Sequence, residues 1–417
     1  MLFRHLPEYM YATQQHRSFL KALDITETQP GPVLHDIGIL LEMMQEAPLK
    51  LSATYRLSRT QLEDINARLH RPIQVALKRP QQKSYPPILG LYLLLRASGL
   101  TLVDETGKHP NMFINEDIYE QWQNLNRVER FGHLLESWLT RGDINIVGAG
   151  ESSPFHSFLR NFEHIIRFYG DIPEKGLQVA GDKNVAKWFH ISPEWHNLGL
   201  MLEFGWIRVE DSQPEPGSGW NIERIYRTDT GDAMIAVLLS NFFSDVDAML
   251  ELDYADDIPV GILQPALESY FPEWKQTVNI EPGEFQDGTF IFKVSLGKVW
   301  RRIEISAQHT LETLASTILS AFAFDHDHLY EFSYRDQFGA VETVSHPYMD
   351  MPPFTPEVAI GDVLLSKGQS MTFLFDFGDR WEFGVKLEQI DPTRTKKRVG
   401  VIEEHGDPPE QYPNLEW

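Results

Sequence analysis

The stretch SMTFLFDFGDRWEFGVKLEQI, residues 370–390, constrains the fold more than any other segment. Met371, Phe373, Phe375 and Phe377 alternate with other residues. After the pair Gly378-Asp379 the alternation resumes at Trp381, Phe383, Val385 and Leu387. Successive side chains of a strand point to opposite sheet faces, so each run places its apolar residues on one face. Two such runs about a Gly-Asp turn predict an antiparallel hairpin.

The surrounding residues extend this reading. Phe290, Phe292, Val294 and Leu296 alternate, Gly297-Lys298 turns, and Ile303 and Ile305 alternate again, which predicts a second hairpin. Thr310 is placed to cap a helix whose stripe is Leu311, Leu314, Ile318, Leu319 and Phe322. HLYEFSY, residues 328–334, reads as a third strand. The expectation for residues 288–417 is an α+β domain, a mixed or antiparallel sheet with one main packed helix.

Four motifs here, VSLGKVWRRIEIS (294–306), TLETLASTILSAFAFDHDHLYEF (310–332), FDFGDRW (375–381) and GDPPEQY (406–412), resemble in order those of the plasmid pRiA4b ORF-3-like family. The resemblance implies a fold more than an activity, and relatives are often linked with mobile elements. Phe383 stands where the family commonly has a histidine. Gln411-Tyr412-Pro413 replaces its usual cysteine and paired glycines. The missing histidine weakens an enzymatic reading.

Upstream, 417 residues suggest two to four domains. We expect a helical amino-terminal domain (1–85), a winged-helix-like unit (86–145), a helical linker (146–190), a second winged-helix-like unit (191–245) and an acidic connection (246–287). Val33, Ile37, Leu40, Leu41 and Met44 have helical spacing, and Ser58 to Gln61 forms a capping box. Helix, hairpin, helix follows over 88–139. A similar order recurs about a hundred residues later, where Leu198-Gly199-Leu200 echoes Leu89-Gly90-Leu91. An amphipathic helix is expected around residues 262–271.

The formal charge is −23, with 16 Lys and Arg against 16 Asp and Glu in residues 1–150. The ratio is 9 to 21 in residues 151–280 and 12 to 23 in residues 281–417. Such acidity repels phosphate backbones and anionic membranes, so nucleic acid is disfavoured as a partner and a membrane is not expected. The absence of cysteine removes disulfides, thiolate nucleophiles and cysteine-ligated zinc. No apolar run approaches the ~20 residues of a membrane span, and the start lacks a signal-peptide core. A cytoplasmic protein is expected.

Candidate binding residues are Trp300, Arg301, Arg302, His328, Tyr330, Asp376, Asp379 and Trp381. Two aspartates and a histidine suit a hard metal or acid–base chemistry, but aspartates about a glycine turn more often bond the turn's own amides. His328 is expected beside that turn. Arg301 and Arg302 point to opposite sheet faces, so only one of them faces any given cleft. One is expected to pair with a nearby acid while Trp300 packs in the core. We assign no catalytic, metal or cofactor residue. The leading expectation is a non-enzymatic binding or adaptor protein using its aromatic-rich sheet for protein or peptide recognition. The alternatives are a DNA-associated regulator acting through the winged-helix-like units, and a metal-dependent hydrolase centred on the Asp-Phe-Gly-Asp turn.

Overall fold

The computed structural model describes residues 11–107, 109–147, 157–181, 189, 192–253, 258–281, 283–393 and 399–412. Two compact units emerge, residues 1–103 with 109–280, and residues 104–108 with 281–417. The expected linker region is described only in part.

In the first unit the order is α1 (Gln14–Ala22), α2 (Val33–Glu46), β1 (Leu49–Lys50), α3 (Arg59–Arg68), α4 (Pro86–Ala97), β2 (Thr101–Asp104), β3 (Asn111–Ile114), α5 (Glu116–Asn124) and α6 (Arg127–Arg141). Then come α7 (Phe158–Gly170), β4 (Leu177–Gln178), α8 (Trp195–Glu203), β5 (Ile207–Ser212), β6 (Asn221–Arg227), α9 (Asp229–Asn241), α10 (Val246–Asp253) and α11 (Gln264–Leu267). Local chemistry sets the starts. The Ser58 hydroxyl accepts the Gln61 N–H while the Gln61 side chain takes the Ser58 N–H, and Thr228 accepts from Gly231. Gly99, at φ +74°, lies just past the end of α4.

Two small sheets repeat one design, with strand orders β1-β3-β2 and β4-β6-β5. Each hairpin takes its third strand from a two-residue segment upstream of its preceding helix. Such short strands carry no alternation to read in a sequence. The helices α4 and α8 pack together where the two Leu-Gly-Leu echoes meet. A Cβ on Gly90 would stand 2.7 Å from Leu200 Cγ, and one on Gly199 would stand 2.2 Å from the Pro86 carbonyl oxygen. Only glycine permits so close an approach of two backbones. Every residue of α4 is buried.

Beside this contact lie two buried carboxyls, Asp36 on α2 and Glu203 at the end of α8. Asp36 Oδ1 accepts the His70 N–H at 2.8 Å and lies 2.7 Å from His35 Nδ1. Burial raises both carboxyl pKa values, and the neighbouring Asp36 raises Glu203 further. On α6, Glu136 accepts the amides of Gly261 and Leu263, and Glu129 those of Lys275 and Gln276. The helix expected around 262–271 is accordingly reduced to α11. No helix among the described residues is long and apolar enough to cross a membrane.

The second unit holds β7 (Thr289–Leu296), β8 (Val299–Ser306), α12 (Leu311–Ala321), β9 (Tyr330–Arg335), β10 (Val341–Ser345), β11 (Ser370–Phe375), β12 (Trp381–Asp391) and β13 (Gly400–His405). They form a seven-stranded sheet of order β10-β9-β11-β12-β7-β8-β13 in which every pair is antiparallel. Phe292, Phe332, Phe373, Phe375, Phe383 and Val385 bury one face together with Leu314 and Ile318 of α12. The aromatic stripes expected as a recognition face are therefore core. Each fully buried Phe contributes about 1.5–3 kcal/mol relative to exposure. Phe377 departs from its expected stripe. β11 stops at Phe375 because Asp376 turns the chain at φ +57°, which leaves Phe377 exposed.

Candidate functional site

The turn between β11 and β12 is held by Asp376. Its Oδ1 accepts the amides of Gly378 at 2.9 Å and Asp379 at 3.4 Å, and its carbonyl accepts the Arg380 N–H at 2.7 Å. Aspartate tolerates the left-handed backbone because its short side chain bonds the local amides. The second oxygen, Oδ2, lies 3.5 Å from His328 Nε2. His328 thus sits beside the turn, with its ring edge-on to Phe375 and Tyr412. Asp379 joins the turn through its backbone amide.

The late motif closes over the same end of the sheet. Gln411 Oε1 accepts the Asp325 N–H at 2.6 Å, and the Tyr412 hydroxyl donates to Asp327 Oδ2 at 2.8 Å. The Tyr412 bond holds the Asp327 carboxyl below its ordinary range. Desolvation, with that same bond, pushes the Tyr412 phenol up to about 12. Three of the four motifs, DHDHL, FDFGDRW and DPPEQY, therefore meet here through side-chain bonds. Residue spacing does not encode these contacts, and the sequence signal for Gln411 and Tyr412 is their place in the GDPPEQY motif.

Tyr330 and Trp381 belong to the helix-facing side. Tyr330 is buried against Phe373, and the loss of solvation raises its pKa, while Trp381 meets Phe324 edge to face at 5.0 Å. Arg301 also points inward. Its guanidinium donates to the carbonyls of Ala321 (3.0 Å), Trp300 (2.9 Å) and His405 (3.1 Å), and lies over Phe322. It ties the end of α12 to the sheet, as a cation near a helix C-terminus should.

Arg302 takes the opposite face and bonds Glu388 at 2.6 Å and also Glu403, and these carboxylates raise its pKa. Trp300 shares this outer face. That corrects the expectation of a core position: in β8 Trp300 and Arg302 fall on the same side, opposite the buried Arg301. The Trp300 indole stacks on His405 with centroids 5.5 Å apart, and Lys293 and Arg302 approach the same ring within 5 Å. The row through Trp300 runs Ser295, Gly384, Thr372, so three strand spacings, ~14 Å, separate it from β11. The turn residues and the Trp300–Arg302 pair do not form one cleft. Among the described residues no group of three His, Asp or Glu is placed to hold a metal ion.

Residues 290–412 match the family model of the plasmid pRiA4b ORF-3-like protein. The domain resembles the uncharacterized protein y4hQ of Sinorhizobium fredii, at 30% identity over 115 residues, 27% of this chain and 58% of that protein. The chain thus spans under two thirds of that relative's length. A crystal structure of the protein of unknown function MM3350 from Methanosarcina mazei Go1 aligns with 28% of the chain and 70% of its own, at 21% identity and a TM-score of 0.26. Within the pRiA4b ORF-3-like domain, the motif residues described above act on one another before they face solvent.

Proposed function

We propose that this is a binding or adaptor protein whose carboxy-terminal pRiA4b ORF-3-like domain recognises a protein or peptide. One observation carries the reading. The polar motif residues Asp376, Asp327, Gln411, Arg301 and Arg302 are occupied in holding turn, tail and strands, while Leu329, Phe377, Val401 and Ile402 remain exposed. Exposed apolar side chains on a rigid frame suit contact with another chain better than catalysis on a small molecule. Selection of the full chain against a displayed random-peptide library tests this. An enriched consensus that also binds in solution supports it, and a selection that returns none overturns it.

A DNA-associated reading draws support from the element order α2-β1-α3-α4-β2-β3 and the strand order β1-β3-β2, which suit a winged-helix unit. The later sheet has the matching order. In helix-turn-helix readers the second helix of the pair enters the major groove. That helix is α4 here, and it is wholly buried and packed on its counterpart α8. We therefore read the two winged-helix-like segments of the first unit as packing helix against helix, which favours a scaffold over a DNA reader. Exposed Lys78, Arg79 and Lys83 precede α4. A gel shift at low salt, where phosphate attraction is strongest, decides between the readings. The hydrolase reading finds less support: Asp327 Oδ1 also lies 3.8 Å from His328 Nε2, but among the described residues these groups are not placed to hold a metal ion together.

A further inference from the structure

The two edges of the seven-stranded sheet are finished differently. At β10 the Ser345 N–H donates to the Pro353 carbonyl and the Ser345 carbonyl accepts from Thr355, so the neighbouring loop covers the end of that edge. At β13 nothing comparable occurs among the described residues. Among the described residues the backbone of Gly400–Glu404 bonds only to β8, and Arg301 takes the His405 carbonyl. The strand is nevertheless held firmly on its inner side, by Arg301, by the Arg302–Glu403 pair and by the His405 ring on Trp300. Val401 and Ile402 stand exposed along it, and Glu404 is 76% exposed.

An unpaired edge is a template for another strand, and proteins blunt such edges with charge and bulges. β13 has a bulge between Val401 and Glu403 and two consecutive glutamates. These devices act selectively. A second copy of this chain would bring the same glutamates to the contact and a further net charge of −23. Residues 281–417 carry 12 Lys and Arg against 23 Asp and Glu, a field that attracts a cationic segment.

We propose that β13 accepts an extended basic segment of a partner protein as an eighth strand. Main-chain hydrogen bonds supply the affinity, as in other strand-addition complexes. Val401 and Ile402 contact apolar side chains of the segment, and Glu404 meets a lysine or arginine. This rests on the recognition reading above and names the partner's chemistry and its place on the domain.

The test uses the full chain and three labelled ten-residue peptides, followed by fluorescence anisotropy at ~0.15 M salt, where exposed charges are screened beyond ~8 Å. One peptide alternates lysine and valine, one alternates glutamate and valine, and one repeats the first with every second amide N-methylated. The lysine–valine peptide should bind, the glutamate–valine peptide should not, and N-methylation should weaken binding at least tenfold. Val401→Lys and Glu404→Lys, both on exposed positions, should each weaken it several-fold; Val401→Lys should leave the melting temperature unchanged, while Glu404 lies 3.9 Å from Arg301 and its variant is read on binding alone. Ile402→Pro, which removes a main-chain amide of β13, should also weaken binding, and if it unfolds the two lysine variants give the same reading. Equal binding of the N-methylated peptide, equal binding by the lysine variants, or no binding at all would overturn the proposal. So would a wild-type dimer in sedimentation that Val401→Lys dissociates. Peptides selected from the random library whose binding ignores all three substitutions would sink this inference while leaving the recognition reading intact.

Discussion

Replacing Gly199 by alanine probes the contact on which the first unit depends. The new Cβ would stand 2.2 Å from the Pro86 carbonyl oxygen, 2.5 Å from its carbonyl carbon and 2.9 Å from the Pro87 nitrogen, where ordinary contacts are 3.4–4 Å. These are backbone atoms, so no side-chain rotation relieves the clash, and α4 and α8 must separate by about 1 Å. A gap of that size forfeits roughly a quarter to a half of each dispersion contact across the seam. Overpacking of this kind costs about 1–3 kcal/mol. Alanine's better helix propensity returns up to ~1 kcal/mol. The net expectation is a loss of about 2 kcal/mol, a fall of ~4–8 °C in melting temperature for a unit of this size. Gly38→Ala is the control. Gly38 lies inside α2, and a methyl group there would meet nothing within 4 Å, so this variant should gain about 0.5–1 kcal/mol. Thermal melts followed by circular dichroism compare the two. A Gly199→Ala protein as stable as Gly38→Ala would show that the helices do not meet at their glycines.

Glu203→Gln should flatten the pH dependence of stability. Asp36 and Glu203 have folded pKa values above their unfolded ones, so their contribution is fully present below the ordinary carboxylate range. It is lost as pH rises from there through the folded values. Wild type should therefore melt progressively lower as pH climbs above that range, and the variant should decline less. His35, His70 and Arg71 share the surroundings, and a pH-independent wild type would refute the shared-burial account. Arg301→Ala should cost about 3 kcal/mol in urea unfolding, because three carbonyls lose a buried charged donor. Arg302→Ala, on the solvent face, should leave the urea midpoint close to that of wild type. Asp376→Asn keeps an acceptor for the turn and should stay within ~0.5 kcal/mol of wild type. Asp376→Ala loses it at a left-handed residue and should cost about 1–2 kcal/mol.

The strands of the second unit are readable because each buries one face, and a period of two survives in residues such as Phe373, Phe375 and Phe383. Caps at Ser58, Thr228 and Thr310 are readable because the capping bond spans three residues. The short strands Leu49–Lys50 and Leu177–Gln178 are not, since two residues carry no period. At the site, His328 beside Asp376 follows from the turn chemistry. The links from Gln411 to Asp325 and from Tyr412 to Asp327 join segments more than eighty residues apart, and no local rule predicts them. Trp300 defeats the expectation of burial that a large aromatic invites, because here cations and His405 cover its ring on the open face.

The sheet order also has a kinetic meaning. Its central strand, β12, pairs with β7, so Val294 must wait for Val385, roughly 90 residues later in synthesis, before β7 has a neighbour on both edges. At ~5–20 residues per second, the first hairpin spends several seconds with Phe290 and Phe292 short of a strand neighbour. A fragment that ends before β12 is therefore not a smaller version of this domain. It is the domain halted in its most aggregation-prone state, and shortened forms need both ends of the sheet to be workable.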